Sequence, residues 1–135
     1  MTLFTSDGEM SADIGSGSIW YSVYSTAMCK LPDKIKEGIP HALVFLKEGE
    51  CPAEQVSITK KELDIVISEF SLLKPEDAIY DLHKPEASPP WKGNLATRVT
   101  SCANMYTTAD GKDLFSEVNK LLSYAEDKKV SISVG

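Results

Sequence analysis

No apolar run in this sequence is longer than Ala42-Leu43-Val44-Phe45-Leu46. That is far short of the roughly 18 to 20 residues that cross a bilayer, so no membrane-spanning helix and no membrane partner are expected. Basic residues are in the minority. Fourteen Lys and Arg face 20 Asp and Glu, giving a net charge of −6. Phosphate neutralisation by Lys and Arg supplies most non-specific affinity for nucleic acid, so this balance argues against DNA or RNA as a direct partner. Cysteine is scarce: Cys29, Cys51 and Cys102 are odd in number and widely spaced, which fits neither a disulfide framework nor a C-x-x-C metal or redox motif. The first residues, Met1 to Asp7, show no basic start and no apolar stretch of the kind found in a secretory signal, so the expected location is cytoplasmic. Internal repeats and low-complexity segments are also missing.

What is present is the composition of an ordinary folded protein, 135 residues with 42% hydrophobic and 25% charged. One domain over 1–135 is expected, since a chain of this length buries roughly two-thirds of its unfolded surface. Leu3 to Ser6 and Glu9 to Ile14 flank Asp7-Gly8, a signal for a tight hairpin. Gly15-Ser16-Gly17-Ser18 breaks the strand, with Ser18 the expected cap of a helix carrying Trp20, Tyr21, Val23, Tyr24, Ala27 and Met28 and stopping before Pro32. Pro40 to Lys47 reads as a shorter helix closed by Gly49. Thr59-Lys60-Lys61-Glu62 has capping-box spacing and precedes Leu63, Val66, Ile67, Phe70 and Leu73 on one face, which predicts a helix ending before Pro75.

Ala78 to Leu82 reads as a strand, and Lys84 to Pro90 as a rigid proline-rich loop leading to Trp91. Thr97 to Thr108 reads as strand or extended chain. Asp110-Gly111-Lys112-Asp113 then opens an amphipathic helix with Leu114, Phe115, Val118, Leu121, Leu122 and Ala125 on its apolar stripe, and Val130, Ile132 and Val134 alternate as a last strand. The expected fold class is α+β, a small and largely antiparallel sheet covered by about three to four helices.

Catalytic signatures do not emerge. A cysteine nucleophile using Cys51 or Cys102 would need His41 or His83 as its base, and nothing in the spacing brings them together. Asp81-x-His83 would place two metal-capable groups on one face of a strand, without a visible third ligand. The glycines before the first helix lack the lysine of a phosphate-binding loop. Glu76, Asp77 and Asp81, or Asp110 and Asp113, could pair as carboxylates, but they carry no acid–base signature. Catalytic, cofactor-binding and metal-ligating residues are therefore all read as none. Two acidic stretches remain as candidate partner-binding residues. Glu48, Glu50 and Glu54 lie in a segment without Lys or Arg, and Glu76, Asp77, Asp81 and Glu86 are opposed only by Lys84. On loops they would present negative charge to a basic protein surface.

The second half contains Pro89-Pro90-Trp91, then Gly93-Asn94, then Tyr106-Thr107-Thr108-Ala109-Asp110-Gly111-Lys112-Asp113-Leu114-Phe115. Together with the order of Gly15 and Ser18, the aromatic helix from Trp20 to Met28 and the helix from Thr59 to Leu73, these segments resemble the immunity protein 70 family of bacterial polymorphic toxin systems. The resemblance covers most of the chain from about Gly15, and it departs from the family's pattern between Leu31 and Gln55, where this chain is more punctuated by proline. It implies a small cytoplasmic α+β protein, encoded beside a toxin gene, that binds a cognate toxin domain and neutralises it without being an enzyme or using a cofactor. The toxin would be a contact-dependent growth inhibition effector or a basic nuclease, the latter suiting the acidic balance. The resemblance also gives Trp91 the role of anchoring the proline-rich loop, and Asp110 to Phe115 that of starting and burying a helix. Two other readings of the residues stand beside it: a peptide-binding adaptor with a groove near Trp20, Tyr21 and Trp91, and a small cysteine-dependent hydrolase.

Overall fold

Hydroxyl-rich and apolar faces of the helices, more than the strands, set the architecture of this α+β chain, whose computed structural model describes residues 1–89, 91 and 95–135. Pro90 and Gly93-Asn94, named above, lie outside the described residues. Three short strands, β1 (Thr2–Thr5), β2 (Ser11–Asp13) and β3 (Ile132–Val134), form an antiparallel sheet in the order β2-β1-β3. Leu3 pairs with Ala12 on one side and Val134 on the other. The hairpin is wider than Asp7-Gly8 suggests. Thr5 donates its N–H to Met10 O, and Asp7 Oδ1 accepts from the Thr5 hydroxyl and the Glu9 N–H, so side-chain bonds hold Ser6 to Met10 in place of a two-residue turn.

Six helices are found among the described residues: α1 (Gly17–Lys30), α2 (Asp33–Glu37), α3 (Pro40–Glu48), α4 (Val56–Phe70), α5 (Cys102–Met105) and α6 (Leu114–Lys128). Helix α1 begins two residues earlier than expected because Ser16, not Ser18, is its cap and accepts from the Ser18 N–H. Its inner face is Trp20, Ser22, Val23, Ser25, Thr26 and Ala27, while Tyr21 and Tyr24 are half-buried. Helix α3 ends as expected at Gly49, which adopts φ +74° and donates to Phe45 O at 2.7 Å. Helix α6 is capped by Asp113, whose carboxylate accepts from Ser116 N–H at 3.0 Å; Asp110 lies outside it, in the turn closed by Thr108 and Lys112.

The capping box at Thr59 is not formed. Helix α4 extends back to Val56 through a one-turn 3₁₀ segment, Ala53–Gln55, because Val56, Thr59 and Leu63 all face the core and burial favours continuing the helix. Glu62 instead reaches across to α3, where its Oε1 accepts from the backbone N–H groups of His41 at 2.7 Å and Ala42 at 3.1 Å, while Oε2 pairs with His41 Nδ1 at 2.8 Å. It caps a neighbouring helix rather than its own, offsetting the absence of any side-chain cap at Ile39.

Two expected strands are replaced. Ala78 to Leu82 is extended, but its backbone pairs with side chains of α1: Ile79 N–H donates to Thr26 Oγ1 at 2.8 Å, Ser22 Oγ donates to Ile79 O at 2.7 Å, and Leu82 N–H donates to Ser25 Oγ at 3.0 Å. Within Thr97 to Thr108, Ser101 caps α5 and Asn104 Oδ1 accepts from the Ser101 N–H at 3.1 Å, a reciprocal box that overrides the β-branched composition around it.

One core cluster joins sheet and helices, with Leu3, Ile14, Phe45, Leu63, Leu121 and Ile132 almost fully buried. Trp20 belongs to it, its indole N–H bonded to Phe45 O at 3.2 Å, which removes Trp20 from any exposed groove. No helix is long and apolar enough to cross a membrane among the described residues.

Candidate functional site

Helix α4 separates the two acidic stretches. At 15 residues it is about 22 Å long, with Glu48, Glu50 and Glu54 before its start and Glu76, Asp77 and Asp81 after its end. Glu48 is the last residue of α3, Glu50 lies in the following connection and Glu54 in the 3₁₀ turn; all three are exposed. None of the six carboxylates forms an ion pair among the described residues. Between the two ends, Ile58 and Ile65 are exposed on one side of α4, seven residues apart.

The second stretch meets a cleft. Pro75–Asp77 forms a 3₁₀ turn in which Asp77 Oδ2 accepts from Lys74 N–H at 3.0 Å, fixing the carboxylate. Across from it runs the segment with Pro85 and Pro89, and the two enclose about 600 Å³. Glu76, Asp77 and Glu86 line this space with Lys30, while Ile79 and Trp91 contribute apolar surface. Asp81 is not among the lining residues; its carboxylate accepts from His83 N–H at 2.9 Å in a local turn, so Asp81 and His83 do not share the face of a strand. A smaller space of about 330 Å³, lined by Ile19, Val99, Met105 and Tyr106 among others, lies on the other side of Trp91 and Leu95.

Trp91 holds these surfaces to the core. Its ring meets Tyr80 edge-on at 5.7 Å and Tyr106 at 5.9 Å, Tyr106 meets Phe115 at 6.4 Å, and Phe115 meets Phe70 at 5.7 Å. This chain of rings runs from the loop to α4 and α6, the anchoring role expected for Trp91. Tyr106 continues it with a polar contact, its hydroxyl lying 2.9 Å from Ser22 Oγ and 3.1 Å from Thr26 Oγ1, and burial pushes its phenol up to about 12.

The thiols are poorly suited to nucleophilic work. Burial, followed by the negative charges of Asp77 and Glu76, pushes Cys102 up to about 12 against the opposing effect of Lys30, and its S–H donates to Lys74 O at 3.2 Å. Burial also raises Cys51, whose S–H is 3.4 Å from Thr59 Oγ1. A thiolate is the reactive form, and both sites disfavour it. His41 is engaged with Glu62, and neither thiol hydrogen-bonds to a histidine among the described residues. Among the described residues no group of three or more His, Cys, Asp and Glu could hold a metal ion.

A family model described as immunity protein 70 matches residues 5–134. The chain belongs to the immunity protein 70 family. No curated protein and no solved structure matches it. Membership accounts for a chain whose distinctive features are a loop anchor and helix caps rather than a catalytic constellation. Sequence reasoning grouped Glu76, Asp77 and Glu86 with Asp81 in one acidic stretch and named Trp91 apart from them, but missed Lys30 and Ile79 as their neighbours, since 49 residues separate Ile79 from Lys30 and no local pattern links them.

Proposed function

We propose that the chain is a cytoplasmic immunity protein that binds a cognate toxin domain and neutralises it as a stoichiometric complex, without turnover. The observation that carries this reading is the family match over residues 5–134. The surface is consistent with it: exposed carboxylates precede α4 and follow it in the chain, and Ile58 and Ile65 are exposed on the helix itself. Glu48, Glu50, Glu54, Glu76, Asp77 and Asp81 are the residues proposed to face the toxin, over an interface of roughly 1,200–2,000 Å² in total. A basic toxin domain, such as a nuclease or a contact-dependent growth inhibition effector, would be steered to this net charge of −6.

The test is co-purification with the toxin domain encoded by the neighbouring gene, with growth rescue on co-expression. The expected outcome is an equimolar complex, restored growth and an association rate that falls with added salt. A folded, active toxin domain that neither binds nor is silenced overturns the proposal, and binding with a salt-independent rate overturns the steering.

A further inference from the structure

Resting on the toxin-binding reading, we propose that the cleft between the Pro75–Asp77 turn and the Pro85–Pro89 segment is a docking pocket for one arginine or lysine side chain of the toxin domain. Its apolar stem lies along Ile79 and Trp91, and its charge meets Glu76, Asp77 and Glu86.

Size, lining and rigidity all fit this occupant. The space of about 600 Å³ is of the order of a small-ligand site, large enough to admit a long side chain with the backbone that carries it. Ile79 and Trp91 supply the apolar and aromatic surface on which the stem of Arg or Lys packs, and a cation close to an indole face gains further attraction. Among the described lining residues, three carboxylates accompany one cation, Lys30. Burial is the main cause of the rise in the Cys102 thiol, and Asp77 and Glu76 add to it against the opposing effect of Lys30. An uncharged partner group would cover these carboxylates without compensating their lost hydration, which makes the pocket selective for a cation.

The wall formed by Asp77, Ile79 and Trp91 is held in place before any partner arrives. Ile79 is held at both its N–H and its carbonyl by hydroxyls of α1, Asp77 by the Lys74 N–H, and Trp91 by Tyr80 and Tyr106. Little conformational freedom remains to be lost on docking. The acidic residues near the start of α4 line neither of these two clefts, so the observations favour the Glu76–Asp77 end of the molecule for an inserted anchor.

The experiment uses the full chain and the toxin domain encoded by the neighbouring gene. Binding is measured by titration calorimetry for wild type and for the isosteric double variant Glu76→Gln/Glu86→Gln, whose exposed positions leave the fold intact. The chain holds two tryptophans, so fluorotryptophan labelling gives separate ¹⁹F signals for Trp91 in the cleft and Trp20 in the core. The expected result is an affinity loss of roughly tenfold to a hundredfold in the variant, with the Trp91 signal shifting in the wild-type complex and Trp20 unmoved. Alanine substitution of a single toxin Arg or Lys is expected to weaken binding to wild type but not to the double variant. Variant affinity within twofold of wild type, or an unshifted Trp91 signal in a formed complex, overturns the pocket while leaving the toxin-binding reading in place. Absence of any wild-type complex overturns that reading and the pocket together.

Discussion

Replacing Thr26 by valine removes one oxygen from the buried junction that holds the Ala78–Leu82 segment on α1. Thr26 Oγ1 is the acceptor for Ile79 N–H at 2.8 Å, and Thr26 is fully buried. The carbonyl of Ile79 retains Ser22 as a donor and Tyr106 retains the Ser22 hydroxyl, but the Ile79 N–H is left without a partner. An unsatisfied buried donor costs about 1–3 kcal/mol, and the methyl that replaces the hydroxyl recovers less than about 1 kcal/mol, so the expected net loss is about 2 kcal/mol. Ser22→Ala is the control, because Ile79 O and Tyr106 each keep a contact with Thr26; about 1 kcal/mol is expected. Urea denaturation gives the two values, and hydrogen exchange reads the Ile79 amide directly. That amide should lose protection in Thr26→Val and keep it in Ser22→Ala. Equal stability losses together with a protected Ile79 amide in Thr26→Val would refute the account of this segment as one whose backbone is satisfied by side chains of α1.

Glu62→Ala strips the amides of His41 and Ala42 of their acceptor and should cost about 2–3 kcal/mol, with Glu62→Gln losing less because its Oε1 is retained; urea midpoints check the order. Gly49→Ala places a Cβ 2.3 Å from Val134 Cγ2 at φ +74°, and a loss of about 1–2 kcal/mol with fraying of β3 in hydrogen exchange is expected. Folding favours the neutral Tyr106 phenol, whose value is pushed from 10.0 up to about 12. Its contribution is therefore complete below pH 10 and is lost as pH rises from there to about 12, to an extent of roughly 3 kcal/mol. Stability measured against pH for wild type and Tyr106→Phe should diverge in that window and run parallel below it.

Local signals carried much of this fold. The Pro40 start and Gly49 stop of α3, the apolar stripe of α6 and the strand at Ile132–Val134 were legible because each depends on neighbours within a turn or two. The residues that misled were those whose partners lie far along the chain. Glu62 has capping-box spacing, yet its carboxylate serves α3, and Ala78–Leu82 has strand composition, yet its backbone is satisfied by hydroxyls more than 50 residues away. Thr97 to Thr108 reads as strand or extended chain, a reading that passes over the Ser101-x-x-Asn104 spacing that closes the box on α5. For the candidate site, Glu76, Asp77 and Glu86 were visible as an acidic stretch that also held Asp81, while the meeting of those three with Trp91, Lys30 and Ile79 in one cleft was not. The sequence by itself determined the α+β class, the family and the acidic balance, because composition, caps and periodicity act over short range. Tertiary structure alone decided which polar groups satisfy one another and which carboxylates share a cavity, because burial forces each buried donor and acceptor to find a partner wherever the packed chain supplies one.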